Sequence, residues 1–386
     1  MTRPTSPETR TVRAGLDTDR QHGAVVPPVY LSSTFTFAAL NERRRYDYSR
    51  SGNPTRDALA EALADLEGGA TAVVTATGMA AVHLALALVR PGERIVAPHD
   101  CYGGTYRLLA ALARTGRALV DFVDMGDPAA WQGALAAGPK LVWIETPSNP
   151  LLRITDVAAV STAARAAGAL VVVDNTFLSP AWQQPIALGA DVVVHSTTKY
   201  INGHSDVVGG ALVARDEGLG EELAWWGNCL GLTGSPFDSF LTLRGLRTLH
   251  VRLRQHGENA AAVAELLGQH GAVSRVFYPG LASDPGHALA AKQQSGFGAI
   301  VSFELAGGLP AVARFLDGLG CFSLAESLGG VESLVAHPDT MTHAAMDPAA
   351  RLTAGITPGL LRLSVGIEAT GDLLADLEAG LARAAG

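Results

Sequence analysis

Primary amines are scarce in this chain, whose 29 cationic side chains include only three lysines, Lys140, Lys199 and Lys292. Chemistry that needs a nucleophilic amine therefore has three candidates. Lys140 follows Gly138-Pro139 and reads as a solvated turn residue, and Lys292, in LAAKQQSG, as an exposed helix residue. Lys199 differs, because it closes the run Asp191-Val-Val-Val-His195-Ser196-Thr197-Thr198-Lys199-Tyr200. An apolar strand there delivers three hydroxyls and one amine to its C-terminal end, where ligands collect in open α/β sheets. Hydroxyls in that place hold phosphate, and a desolvated lysine loses its proton readily enough to condense with a carbonyl. Together they describe a site for pyridoxal 5′-phosphate better than a lysine that merely caps a sheet edge in solvent. The rival S-x-x-K pattern of penicillin-binding proteins, Ser196 to Lys199, lacks its K-T-G triplet and follows a strand instead of lying on a helix.

That cofactor needs a carboxylate against its pyridine nitrogen, because a protonated ring is the electron sink. Asp174 ends the strand ALVVVD, and Asn175-Thr176 follow it, placed to orient the acid. Taken alone, an aspartate starting a loop is ordinary turn chemistry; beside Lys199 it becomes the candidate acid. Thr75-Ala-Thr77-Gly78-Met79 closes a strand and opens an alanine-rich helix, whose N-terminus offers free N–H groups and partial positive charge to a phosphate, although plain capping uses the same residues. Tyr102, after another strand end in HDCYGG, is a candidate ring-stacking residue or an ordinary half-buried tyrosine. Arg362, inside LLRLSVG, is costly to bury without an anion and would give an amino-acid carboxylate two parallel donors, unless strand alternation turns it outward.

The elements that must position these groups follow from periodicity. Short β-branched runs (Ala72–Thr75, Arg94–Ala97, Ala118–Val123, Leu141–Glu145, Leu170–Asp174, Asp191–His195) alternate with amphipathic alanine-rich segments. This pattern predicts a parallel sheet covered on both faces. A long helical segment from about Phe237 to Gln269 reads as a bridge to a smaller α/β domain, with strands near Val273–Tyr278, Ala299–Phe303 and Leu360–Val365 and a closing helix from about Asp372. The expected division is an extended, polar arm over 1–60, a large domain over 61–250 and a small domain over 251–386.

Composition narrows the function. With 48% hydrophobic and 17% charged residues over 386 positions, the chain has the apolar material for a large core. A net charge of −8 excludes the broad cationic field that nucleic acid or an anionic membrane selects. No Walker loop, G-x-G-x-x-G or zinc-ligand spacing occurs, and no apolar leader or spanning stretch is found. Three widely spaced cysteines argue for a reducing, cytoplasmic setting.

The ordered segments VVPPVYLSSTF, YDYSRSGNPTRDALAEAL, ATGMAAV, APHDCYGGTYRL, ETPSNPLL, VVDNTFLSP, HSTTKYINGHSDVVGG, FDSFLTLRGLRTL, ESLGGVESL and LLRLSVGIE resemble the Cys/Met-metabolism family of pyridoxal-phosphate enzymes nearly end to end. The resemblance implies the fold type I architecture of pyridoxal-phosphate transferases, like that of aspartate aminotransferase. It implies that Lys199 is the Schiff-base lysine and proton shuttle, that Asp174 binds the pyridinium nitrogen, and that Tyr102 stacks on the ring. Gly78, Met79, Ser196 and Thr198 would hold the phosphate. Tyr48 and Arg50 would reach the phosphate of a neighbouring subunit, in a homotetramer built as a dimer of dimers with shared sites. Arg362, Ser327 and Asn149 would receive the substrate α-carboxylate, Arg107 or Arg50 a distal carboxylate, and Glu326 an incoming ammonium. The implied reaction is γ-replacement joining O-succinylhomoserine and L-cysteine, with cystathionine γ-elimination as the main competitor. Homoserine-ester sulfhydrylation and a non-catalytic, cofactor-sensing regulator are the further alternatives. The glycines at 103 and 104 depart from methionine γ-lyases, which resemble this chain but carry a cysteine after the tyrosine.

Overall fold

The computed structural model describes residues 5–344 and 346–386. Seven strands form the large sheet: β1 (Thr71–Thr75), β2 (Arg94–Pro98), β3 (Leu119–Val123), β4 (Leu141–Glu145), β5 (Leu170–Asp174), β6 (Val192–His195) and β7 (Gly210–Ala214). Their order is β1-β7-β6-β5-β4-β2-β3. All run the same way except β7, which is antiparallel to both its neighbours. β7 has no counterpart among the strands read from the sequence, since its glycine-led GALVA follows a loop instead of a helix.

Alternation along the buried strands feeds two cores. Val171, Val173 and Val193 pack on one face with Leu59 and Leu63, while Val172, Val192 and Val194 pack on the other with Leu84 and Leu223. Helices between the strands begin where side chains accept orphan N–H groups. Asp127 caps Ala129, Asp156 caps Ala159 and Thr77 caps Ala80. Because the parallel strands share one direction, the chain leaves β1, β2, β4, β5 and β6 at one edge, and every one of those exits reaches the cavity described below.

The segment expected as one bridge is two helices, Pro236–Leu246 and Leu249–Gln269, broken at Arg247-Thr248. The break gives Arg252, on the second helix, its place. Its guanidinium is buried and donates to the carbonyls of Tyr200 (2.8 Å), Gly245 (2.8 Å) and Ile201 (3.3 Å). It thereby staples the chain leaving Lys199. Gly203 lies against this group: its φ is +75°, and a Cβ there would sit 2.1 Å from Arg252 Nη1.

Beyond the second helix lies the smaller sheet: β8 (Val273–Phe277), β9 (Ile300–Leu305), β10 (Ser323–Leu324), β11 (Leu334–Ala336) and β12 (Leu360–Ser364), in the order β10-β11-β12-β9-β8. The closing helix is Thr370–Ala385. Near the N-terminus, Pro7–Arg13 is a short helix, and Pro54–Glu67 starts within the segment read as arm. Between them the chain is largely irregular, with Val25, Leu31 and Leu40 exposed. No helix among the described residues is long and apolar enough to cross a membrane.

Arg252→Met would leave three carbonyls without their charged donor. The expected loss is at least about 3 kcal/mol, measured as a lower urea midpoint with an unchanged denaturant slope.

Candidate active site

At the common strand-exit edge a cavity of about 390 Å³ opens between the large sheet and the loop after β10. Eleven of the residues singled out in the sequence line it: Gly78, Met79, Tyr102, Asn149, Asp174, Ser196, Thr198, Lys199, Glu326, Ser327 and Arg362. They come from segments as far apart as the β1 exit and β12, so only the closed fold assembles them. Tyr48, Arg50 and Arg107 do not line it. Arg50 instead donates to the carbonyl and side-chain oxygen of Asn228 (2.8 and 2.7 Å), with its guanidinium 5.9 Å over the Tyr48 ring. Arg107 is exposed on the helix Gly103–Arg114, yet close enough for its charge to favour ionisation of Tyr102.

Lys199 leaves β6 through the Ser196–Thr198 turn, and its Nζ donates to Ser327 Oγ at 2.6 Å. Burial pulls its pKa down to about 8, and the like charge of Arg362 pulls the same way. Arg362 on β12 is inward-facing and only 2% exposed, so the outward alternative is excluded. Its Nη1 donates to Asn149 Oδ1 and its Nη2 to the Ser327 carbonyl, both at 2.8 Å. Its Nε has no partner among the described residues. Burial lowers Arg362 to about 10, which leaves it charged at neutral pH. Ser327 thus touches both cations, from a left-handed backbone at φ 84°.

Asp174 accepts from the Thr176 backbone N–H at 3.0 Å. Burial raises its pKa, while the Thr176 hydroxyl and amide and the charge of His195 oppose the rise. Its register partner on β4 is Glu145, a second buried acid lining the cavity. Glu145 is pushed well above the usual carboxylate range, first by burial and then by Asp174. The Tyr102 backbone N–H donates to it at 2.8 Å. Thr176, read from the sequence as a group that orients Asp174, lines the cavity too, and Glu145 is a site residue that the sequence reading passed over. The signal for Glu145 was present, for it closes its strand at the same level as Asp174.

The helix Gly78–Leu86 points its first turn at the cavity, and its first N–H groups have no intrahelical partner. A Cβ at position 78 would sit 2.8 Å from Ser196 Cβ and Oγ, so glycine is what lets the helix start seat against the Ser196 turn. Thr198 is more engaged than its sequence suggested: Oγ1 accepts from the Gly209 N–H (2.9 Å) and donates to the Gly209 carbonyl (3.2 Å). Tyr102 is 43% exposed at the cavity mouth, and its phenol is pushed up by burial and pulled back by Arg107.

The model of the Cys/Met-metabolism PLP-dependent enzymes matches residues 8–382. The chain belongs to that family. It is 57% identical to the cystathionine gamma-synthase of Escherichia coli over 96% of both chains. It is 47% identical to a cystathionine beta-lyase of Lactococcus lactis subsp. cremoris, over 98% of this chain and 99% of that one. Among solved structures it superposes, with a TM-score of 0.98 and 63% identity over 99% of each chain, on the cystathionine gamma synthase of Xanthomonas oryzae pv. oryzae in complex with aminoacrylate and cysteine. A cystathionine gamma-lyase from Lactobacillus plantarum complexed with L-serine matches at TM-score 0.95 and 42% identity, over 99% and 100% of the chains. The fold is thus that of these PLP-dependent enzymes, a mostly parallel large sheet with a second, smaller one, and the cofactor is pyridoxal 5′-phosphate.

The residues present fit that cofactor: an amine and an acid share one cavity, a helix start offers unbonded N–H groups, and a buried guanidinium keeps a free donor. With its pKa lowered, Lys199 is neutral above about pH 8. The rate at which a small amine-directed reagent labels Lys199 in the cofactor-free chain should therefore climb through about pH 8, two units below an ordinary lysine, as read by peptide mass spectrometry.

Proposed function

We propose that the chain catalyses γ-replacement, joining O-succinylhomoserine and L-cysteine to give L-cystathionine and succinate. Glu326 carries the reading. It is an exposed carboxylate on the cavity lining, next in the chain to the serine that touches both cations, and so placed to meet a second, ammonium-bearing substrate. The end-to-end identity with two γ-synthases supports it.

Pyridoxal phosphate, when bound, supplies an electron sink for negative charge at the substrate Cα. Asp174 would hold the proton on the ring nitrogen, Tyr102 would stack on the ring, and the Gly78 and Met79 N–H groups with the Ser196 hydroxyl would hold the phosphate, joined by the Thr198 hydroxyl once it gives up its bond to the Gly209 carbonyl. Arg362, already fixed by Asn149 and Ser327, would offer its free Nε to the α-carboxylate. Lys199 Nζ would take the proton from Cα and hand it on, so that the amine, neutral again, could take the proton from Cβ and let the γ-substituent leave; a pKa of about 8 and a flexible stem suit a group that must both accept and release a proton. The Tyr102 phenol, raised by burial, would act as a base only once ionised, which the charges of Arg107 and Arg362 favour. Arg107 or Arg50 would draw the succinyl carboxylate.

Tyr48 and Arg50 would complete the site of a neighbouring subunit in a cytoplasmic homotetramer. The exposed apolar residues of the arm, Leu40 at 91% among them, are the surface such a partner would cover. The second reading is cystathionine γ-elimination, favoured by the likeness to the Lactobacillus plantarum γ-lyase.

Supplied with O-succinylhomoserine and cysteine, the holoenzyme should form cystathionine, and without cysteine 2-oxobutyrate. If cystathionine is only degraded, by mass spectrometry of both products, the γ-replacement reading fails. Mixing Lys199→Ala with Arg50→Ala subunits should restore partial activity, since one site in each mixed dimer keeps both residues; no recovery after confirmed subunit exchange rules out a shared site.

A further inference from the structure

Between β11 and the helix Pro348–Ala354 a loop crosses from the smaller sheet to the cavity, which its Thr342 lines. The loop packs tightly there: a Cβ at position 103, where the helix after Tyr102 begins, would sit 2.9 Å from the Thr342 carbonyl. The next residue, His343, is 1% exposed and is used by no part of the reaction above. Its Nε2 lies 3.1 Å from the Asn149 carbonyl and its Nδ1 2.8 Å from the Thr342 hydroxyl. A carbonyl only accepts, so Nε2 carries the proton. Burial, and then the charge of Arg362, lower the pKa of His343 to about 4, so at neutral pH Nδ1 is bare and accepts from the Thr342 O–H.

A buried imidazole with both nitrogens bonded is ordinarily a satisfied core residue. What distinguishes His343 is the residue it holds. Asn149, in the loop after β4, accepts from Arg362 Nη1 at its Oδ1, 2.8 Å away. Its chain neighbours are fixed separately, Ser148 by Asp100 (2.7 Å) and the Pro150 carbonyl by Ser302 (2.6 Å). Among the described residues, Asn149 itself bonds two side chains, Arg362 and His343. Arg362 stands on β12, so two groups from the smaller sheet and its loop grip Asn149, one at the side chain and one at the carbonyl. Arg362 has one other acceptor, the Ser327 carbonyl on Nη2, and its Nε is free. A guanidinium is planar, so holding both Nη atoms fixes the direction in which Nε points.

We propose that His343 is a positioning residue for the carboxylate receptor: by holding the Asn149 carbonyl it keeps Oδ1 on Arg362, and so keeps the free Nε aimed at an incoming α-carboxylate. The inference rests on the reading of Arg362 as that receptor. With the imidazole bond gone, Asn149 can rotate between its fixed neighbours, and Arg362 Nη1 loses an acceptor of set position. A ligand must then order the receptor as it binds, which costs affinity that a preformed receptor does not lose. The effect is confined to ligands that carry the carboxylate, because His343 reaches the cavity only through Asn149 and Thr342.

The test titrates holoenzyme with L-alanine and with ethylamine, which lacks the carboxylate, and reads each dissociation constant from the change in cofactor absorbance. Asparagine and glutamine separate the two sides of the ring. The amide of His343→Asn reaches the Nδ1 position and that of His343→Gln the Nε2 position, so only the second keeps the donor to Asn149. His343→Asn should weaken L-alanine about tenfold, the effect of loosening one hydrogen bond to a charged group, and leave ethylamine unchanged. His343→Gln should recover most of that loss. In Asn149→Ala, where Oδ1 is absent, adding His343→Asn should cost nothing further. If His343→Asn does not fold, His343→Leu, which fills the space without a donor, takes its place. A merely structural histidine would lower the melting temperature of the variants without separating the two ligands. Unchanged binding of L-alanine, parallel losses of L-alanine and ethylamine, an equal loss in His343→Gln, or an added loss in the Asn149→Ala background each overturn the proposal. If Arg362→Leu binds L-alanine like wild type, it is the reading of Arg362 that fails, and this proposal with it; if Arg362→Leu weakens L-alanine while His343→Asn does not, only the positioning role is lost.

Discussion

Two cations meet on one serine. Lys199 and Arg362 are both taken out of water, and both bond Ser327, one at its hydroxyl and the other at its carbonyl. Burial disfavours each charge, and each disfavours the other. Lys199 answers with a pKa of about 8, so that a fraction of it is free amine at neutral pH. Arg362, which does not deprotonate there, is compensated by Asn149 and the Ser327 carbonyl and keeps one donor unsatisfied. A readily deprotonated amine and a guanidinium with a free donor are two results of the same desolvation, and Ser327, in a left-handed backbone, bonds both.

The sheet supplies that desolvation. Five strands leaving the same edge place the Gly78 turn, Tyr102, Glu145, Asp174 and Lys199 around one cavity, and the loop after β10 brings Glu326 and Ser327 over it. The acids follow the same logic as the cations. Glu145 and Asp174 stand side by side in register, and the donors of Thr176 favour the ionised form of Asp174. The γ-synthases, γ-lyase and β-lyase that this chain resembles share its frame almost throughout. The frame alone therefore does not distinguish these reactions, and the groups that line the cavity are where such a difference can lie.

Much of this was legible in the sequence, and the exceptions have physical causes. Lys199 stood out because lysine is scarce, and Asp174 because an apolar run ended in an acid; both signals are local. Glu145 ended its strand in the same way but was not weighed, because nothing local says that its neighbour in space is Asp174. Strand β7 was missed because an antiparallel insertion lacks the crossover helix by which parallel strands announce themselves. The single bridge read from Phe237 to Gln269 became two helices because Arg252 must turn back to reach the carbonyls after Lys199. The bond between His343 and Asn149 spans 194 residues and leaves no trace in spacing.

The sequence by itself determined the layered α/β plan and the family, and pointed to Lys199 and Asp174, because periodicity, rarity and ordered segments are properties of the chain read in one direction. The tertiary structure alone decided that Arg362 faces inward, that Thr198 is tied to Gly209, that Ser327 joins two cations and that Glu145 stands in register beside Asp174. The physical reason is that desolvation and charge coupling fall off over a few ångströms of space, and only the folded chain defines which residues lie that near.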